Sequence, residues 1–161
     1  MKNRDVLLLL LYFALFTIGC ATAKYPIDAT PLIKLDNRLI GKWKTVVEGH
    51  SKDIYTITAK DEYNYKISFK DRGSKKTEVC TAYLSDLDNV KFMNVCFKED
   101  SIVNYFFLRL LDIKSDDITV ATVGDTTLKM MTSAQEVRGF FLKNLNKPPF
   151  YDDTVHFRRM K

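Results

Sequence analysis

The side chains of this 161-residue chain with most chemistry to offer are three cysteines, Cys20, Cys80 and Cys96, and two histidines, His50 and His156. Neither histidine has a nucleophile or paired carboxylate at informative spacing, and no His, Cys, Asp or Glu set has the spacing of a metal site, so neither catalysis nor a cofactor is expected. The acidic pairs Asp116-Asp117 and Asp152-Asp153 read as solvated turn caps. Phosphate-cradling glycine loops are absent. A net charge of +5 spread along the chain gives no nucleic-acid footprint. Cys80 and Cys96 have a more specific setting. Residues 77–85 and 91–98 read as strands joined by the turn chemistry of Asp86-Leu87-Asp88-Asn89. A hairpin centred on Asp88 puts Cys80 opposite Cys96, which predicts a cross-strand disulfide contributing on the order of 3 kcal/mol.

Cys20 belongs to a different kind of element. Lys2 and Arg4 precede an uninterrupted apolar run, 6–18, that is shorter than the roughly 20 residues of a membrane-spanning helix and fits the core of a signal peptide. The run closes on Leu15-Phe16-Thr17-Ile18-Gly19-Cys20, which resembles the bacterial lipobox. The resemblance implies cleavage before Cys20, acylation of that cysteine and anchoring in a membrane of the cell envelope. On this reading residues 1–19 are a signal peptide, 20–34 a lipidated tether and 35–161 the folded domain. The alternative is cleavage after Ala21-Thr22-Ala23, an A-x-A site that would secrete a soluble chain beginning at Lys24. Either route leaves Cys80 and Cys96 as an even pair in an oxidising compartment.

The elements that must position these residues are nearly all strands. After a helical turn suggested by Leu32, Leu35, Leu39 and Ile40, alternation of apolar and polar residues marks strands at 42–48, 53–59 and 62–70. The cysteine hairpin follows, then strands at 102–113, 117–123 and 127–130. Ser133 and Glu136 form a capping box ahead of Val137, Phe140, Phe141 and Leu145, an amphipathic helix expected to pack outside the sheet. A final strand covers 154–159. An all-β antiparallel barrel of about eight strands plus one C-terminal helix and a final strand is predicted, because an open sheet of this kind would expose its edges.

Leu39-Ile40-Gly41-Lys42-Trp43 resembles the G-x-W opening of the lipocalins, and the order of strands, helix and last strand is similar to that family over about residues 35–160. The resemblance implies an up-and-down barrel whose base is closed by Trp43 with Arg158 or Arg159 stacked on it. The 20 aromatic residues, among them Tyr55, Tyr63, Tyr65, Phe69, Tyr105 and Phe107, either interdigitate as a solid core or surround an apolar pocket. If a pocket exists and Trp43 plugs one end, Tyr55, Tyr65 and Tyr105 are the candidate lining residues. Two functions remain open: a membrane-tethered binder of a small hydrophobic ligand, and a solid structural or interaction module that meets another envelope protein or the cell wall.

Overall fold

Eight strands, each hydrogen-bonded antiparallel to the next and the last to the first, close into a barrel in the computed structural model. The structure describes residues 22–46, 54–70, 77–99 and 101–161. The strands are β1 (Gly41–Thr45), β2 (Ile54–Ala59), β3 (Asn64–Lys70), β4 (Thr77–Leu87), β5 (Val90–Glu99), β6 (Ile102–Ile113), β7 (Asp117–Val123) and β8 (Tyr151–Arg159). Closure pairs Trp43 with Arg159, Lys44 with Arg158 and Thr45 with Phe157, which removes the two free edges that a meander of eight strands would otherwise present. Alternation then sorts the side chains. Trp43, Tyr65, Ile67, Leu84, Met93, Val95, Ile118 and Val120 belong to a cluster inside the barrel.

A second apolar cluster lies outside the wall. It joins Leu87, Phe92, Phe107 and Val123 of the strands to the helix α1 (Ala134–Asn144) and to the segment before the barrel. Ser133 accepts from the Glu136 N–H at 3.2 Å, as a capping box requires, but the Glu136 carboxylate turns to the Thr132 N–H at 2.7 Å. Val137 and Phe141 are fully buried, and Phe141 makes edge contacts with Phe92, Phe107 and Phe150 at ring separations of 4.9–5.1 Å.

Three expectations are corrected. The strand expected at 127–130 is a 3-10 turn, Thr126–Met130, because Asp125 caps it by accepting from the Thr127 N–H at 2.9 Å. The eighth strand is therefore the C-terminal one. The cysteine hairpin turns on two residues rather than three: Asp88 and Asn89 both take positive φ, 52° and 67°, the geometry of a type I′ turn, and Leu87 pairs with Val90. That slip of one residue sets Thr81, not Cys80, against Cys96. Since a one-residue shift moves a side chain to the other face, Cys80 points into the barrel and Cys96 away from it, and both thiols are free.

The third correction concerns the tether. From residue 22 onward the chain lies against the barrel's outer wall instead of hanging from it. Ala23 exchanges both backbone hydrogen bonds with Tyr105 of β6, at 2.9 and 2.8 Å. The Ile27 N–H donates to Asn94 Oδ1 on β5 at 2.9 Å, the Tyr83 hydroxyl on β4 donates to the Asp28 carbonyl, and Arg138 of α1 pairs with the Asp28 carboxylate. Ala23 and Ile27 are each 1% exposed. The segment is a strap that crosses β6, β5 and β4 in turn. Its far end reaches the β2–β3 connection, where the Leu35 N–H donates to the Glu62 carbonyl at 3.1 Å.

Candidate functional site

The base of the barrel is built around one arginine. Arg159 ends β8 with its guanidinium carbon 4.2 Å from the centroid of the Trp43 ring. Its Nη1 donates to the Ile40 carbonyl at 2.7 Å, its Nη2 to the Arg38 carbonyl at 2.6 Å, and its Nε to the Ser115 carbonyl. The planar fork thus satisfies three carbonyls that the turn Asn37–Leu39 and the β6–β7 connection leave unpaired. Trp43, 1% exposed, donates its indole N–H to the Leu39 carbonyl at 2.9 Å.

Gly41 completes the plug for a steric reason. Its φ is 151°, and a Cβ there would sit 2.2 Å from Arg159 Nη1. Both facts require glycine two residues before the tryptophan. Of the two arginines expected to stack on Trp43, Arg159 does so. Arg158 faces outward and donates to Asp117 at 3.2 Å across the β7–β8 pair.

Tyr65 also belongs to this base. It is fully buried, and its hydroxyl accepts from the Asp36 N–H at 2.6 Å. Burial pushes its ionisation up to about 12, so it is a neutral phenol at any ordinary pH. Asp36 caps the turn Asn37–Leu39, and its hydrogen bond with Arg38 holds its carboxyl below the usual carboxylate range.

Above the plug lies a cavity of about 320 Å³. Trp43 and Leu39 form its floor, and the walls are Ile57, Ile67, Met93, Val95, Leu108, Leu110, Ile118, Val120 and Val155. Tyr55, Phe69, Phe97 and Phe157 stand among them, with ring separations of 5.5 Å for Tyr55 and Phe157, 5.6 Å for Tyr55 and Phe69, and 6.4 Å for Phe69 and Phe97. The polar side chains on the wall are Thr45, Thr122, the Tyr55 hydroxyl and Cys80. Desolvation pushes the Cys80 thiol up to about 12, so it stays protonated. No charged residue lines the cavity among the described residues, and no group of His, Cys, Asp or Glu there could hold a metal ion. Such a space can take up an apolar molecule by desolvation and shape.

The three tyrosines expected to line a pocket therefore part company. Tyr55 lines it, and Tyr65 is locked into the plug below it. Tyr105 is a correction: it faces outward, packed against the external cluster and strapped by Ala23. Phe107 goes with it, because β6 presents Phe106, Leu108 and Leu110 inward and Tyr105 and Phe107 outward. Both faces of β6 are covered, so its apolar residues show no alternation to read. Asn94 is the residue that sequence reasoning missed altogether. Fully buried, it accepts from the strap and donates to Ser85 Oγ at 2.9 Å, yet in sequence it is a single asparagine between Met93 and Val95 with nothing to mark it. His156 lies on the outer face of β8, its Nδ1 3.1 Å from Thr119 Oγ1, while His50 and Cys20 lie outside the described residues.

Together these features define a closed eight-stranded antiparallel barrel holding an apolar cavity above an arginine and tryptophan plug. No known protein family, curated protein or solved structure matches the chain.

Proposed function

We propose that the protein is a membrane-anchored, lipocalin-like lipoprotein of the cell envelope that binds a small hydrophobic ligand without transforming it. The observation that carries this reading is the cavity: at about 320 Å³ it falls in the range of small-molecule sites, and apart from a few hydroxyls and one neutral thiol its wall is hydrocarbon and aromatic. A barrel meant only as a rigid interaction module has no use for such a void, which forfeits dispersion contacts all round its lining. The Gly41-Lys42-Trp43 opening with Arg159 on the indole supports the lipocalin likeness. Anchoring rests on the lipobox-like run that ends at Gly19-Cys20.

Native mass spectrometry of the delipidated protein mixed with a lipid extract tests the binding. A single adduct of defined mass is expected for the parent and is expected to vanish in Val120→Trp, which fills the cavity while keeping the barrel's circular dichroism. A parent that takes up nothing at ligand excess would restore the solid-module reading, with another envelope protein as its partner. For the anchor, a fatty-acid analogue should label the parent and not Cys20→Ser. A mature chain that begins at Lys24 would replace the anchored form with a secreted one.

A further inference from the structure

The hydrocarbon wall of the cavity suits a ligand's tail, and the rings and charges near the opening bear on its head. The plug closes one end of the barrel; the opposite end, the mouth, is where β1 and β3 finish and β2 and β4 start. Four rings stand in sequence along the cavity wall. Phe157 meets Tyr55 at 5.5 Å, Tyr55 meets Phe69 at 5.6 Å and Phe69 meets Phe97 at 6.4 Å, an arc that runs from β8 past β2 and β3 to β5. Tyr55 is the second residue of β2 and Phe69 the last but one of β3, so the middle of the arc stands near the mouth.

A carboxylate shares the rung of Phe69. Phe69 pairs directly with Glu78 of β4, and residues directly opposite share a face, with Cβ atoms about 5 Å apart. Alternation agrees, since Glu78 lies two residues before Cys80, which lines the cavity. Unlike Cys80, Glu78 is exposed, so its charge stays hydrated at the edge of the cavity. Burial is the main cause that pushes the Cys80 thiol up, and the charges of Cys96 and Glu78 act in the same direction, so the field of the carboxylate reaches the cavity wall. Lys98, near the mouth end of β5, has the parity of Cys96, which points away from the cavity. Among the described residues, no lysine or arginine has the inward parity at the mouth.

We propose that the ligand is a hydrophobic organic cation, a protonated amine or quaternary ammonium whose apolar tail fills the cavity and whose head lies at the mouth between the aromatic arc and Glu78. This deepens the binding reading above and rests on it. Rings alone would serve any apolar molecule. The carboxylate beside them selects, because the negative ring faces and the Glu78 charge both attract a cation and both disfavour an anionic head. A charged head cannot follow its tail into hydrocarbon, so it stops where the wall meets water, at the level of Phe69 and Glu78.

Equilibrium dialysis of the purified full chain against three compounds with one tail and different heads tests the assignment: decyltrimethylammonium, decanoate and decanol. At low salt the ammonium should bind about tenfold more tightly than decanoate, with decanol reporting whether the cavity accepts the tail at all. Glu78→Gln should weaken the ammonium about threefold and leave decanol unchanged, which also shows that the variant folds. Phe69→Leu should weaken the ammonium by a larger factor than decanol. Decanol binding with the ammonium no tighter than decanoate, or an ammonium affinity that Glu78→Gln leaves unchanged, overturns the cationic head and keeps the apolar cavity reading. If none of the three binds, the cavity reading itself fails, and the head assignment with it.

Discussion

The barrel interior and the seam under α1 are both lined with aromatic and aliphatic side chains, yet one holds a cavity and the other is filled. In the seam, Phe141 meets three phenylalanine rings within 5.1 Å, and Leu128, Val137 and Val123 are fully buried around it. Inside the barrel the rings of Tyr55, Phe69 and Phe97 are spaced up to 6.4 Å apart about open space. Composition does not account for the difference. The seam is closed by two segments, strap and helix, each free to settle until its side chains touch, whereas the interior width is set by strand number and hydrogen-bond stagger, which side chains cannot pull inward.

The largest expected effect follows from that contrast. Phe141→Ala should cost about 3–5 kcal/mol in urea denaturation, because it removes a ring packed on all sides, while Phe69→Ala should cost less than half as much. Equal losses would mean that the interior is as tightly packed as the seam. Next is Asn94→Ala, which leaves the Ile27 N–H without its buried acceptor and should cost about 1–3 kcal/mol. The same change should make the strap the first site of proteolytic nicking; unaltered protease resistance would show that the strap is held by apolar burial alone.

The two thiols give a smaller and sharper contrast between inside and outside. Peptide mapping without reductant should find both Cys80 and Cys96 unbridged, and bound ligand should slow alkylation of Cys80 several-fold while leaving Cys96 unaffected. Protection of Cys96 instead would place the ligand on the outer wall.

The smallest effect is at the base. The Asp36 carboxyl titrates below its unfolded value near ~4, so its pairing with Arg38 contributes stability that is present above that pH and is lost as pH falls through the lower, folded value. Arg38 is exposed and its charge is screened by water, so the loss should be small and should be absent in Asp36→Asn. A larger acid loss that survives in Asp36→Asn would assign it to other carboxylates.

Much of the architecture was legible from local pattern. Tyr65, Ile67 and Phe69 alternate against polar neighbours and do point inward, Ser133 does cap α1, and Gly41-Lys42-Trp43 does open a barrel whose last strand returns an arginine to the indole. Each of these rests on interactions within a few residues or on one buried face, so it leaves a periodic trace. The face of β6 left none, since both sides are apolar and both are covered.

By itself the sequence determined the number and order of the strands after the 127–130 segment is set aside, the amphipathic helix and the composition of the plug, because propensity, capping and alternation act over short spans of chain. Tertiary structure decided the one-residue register that separates Cys80 from Cys96, the docking of residues 22–34 as a strap, the choice of Arg159 over Arg158 and the survival of a cavity. The physical reason is common to all four. Each depends on how distant segments meet in space, through a turn's backbone twist, a buried asparagine 67 residues from its partner or the fixed girth of eight paired strands, and none of these alters the local pattern from which a sequence is read.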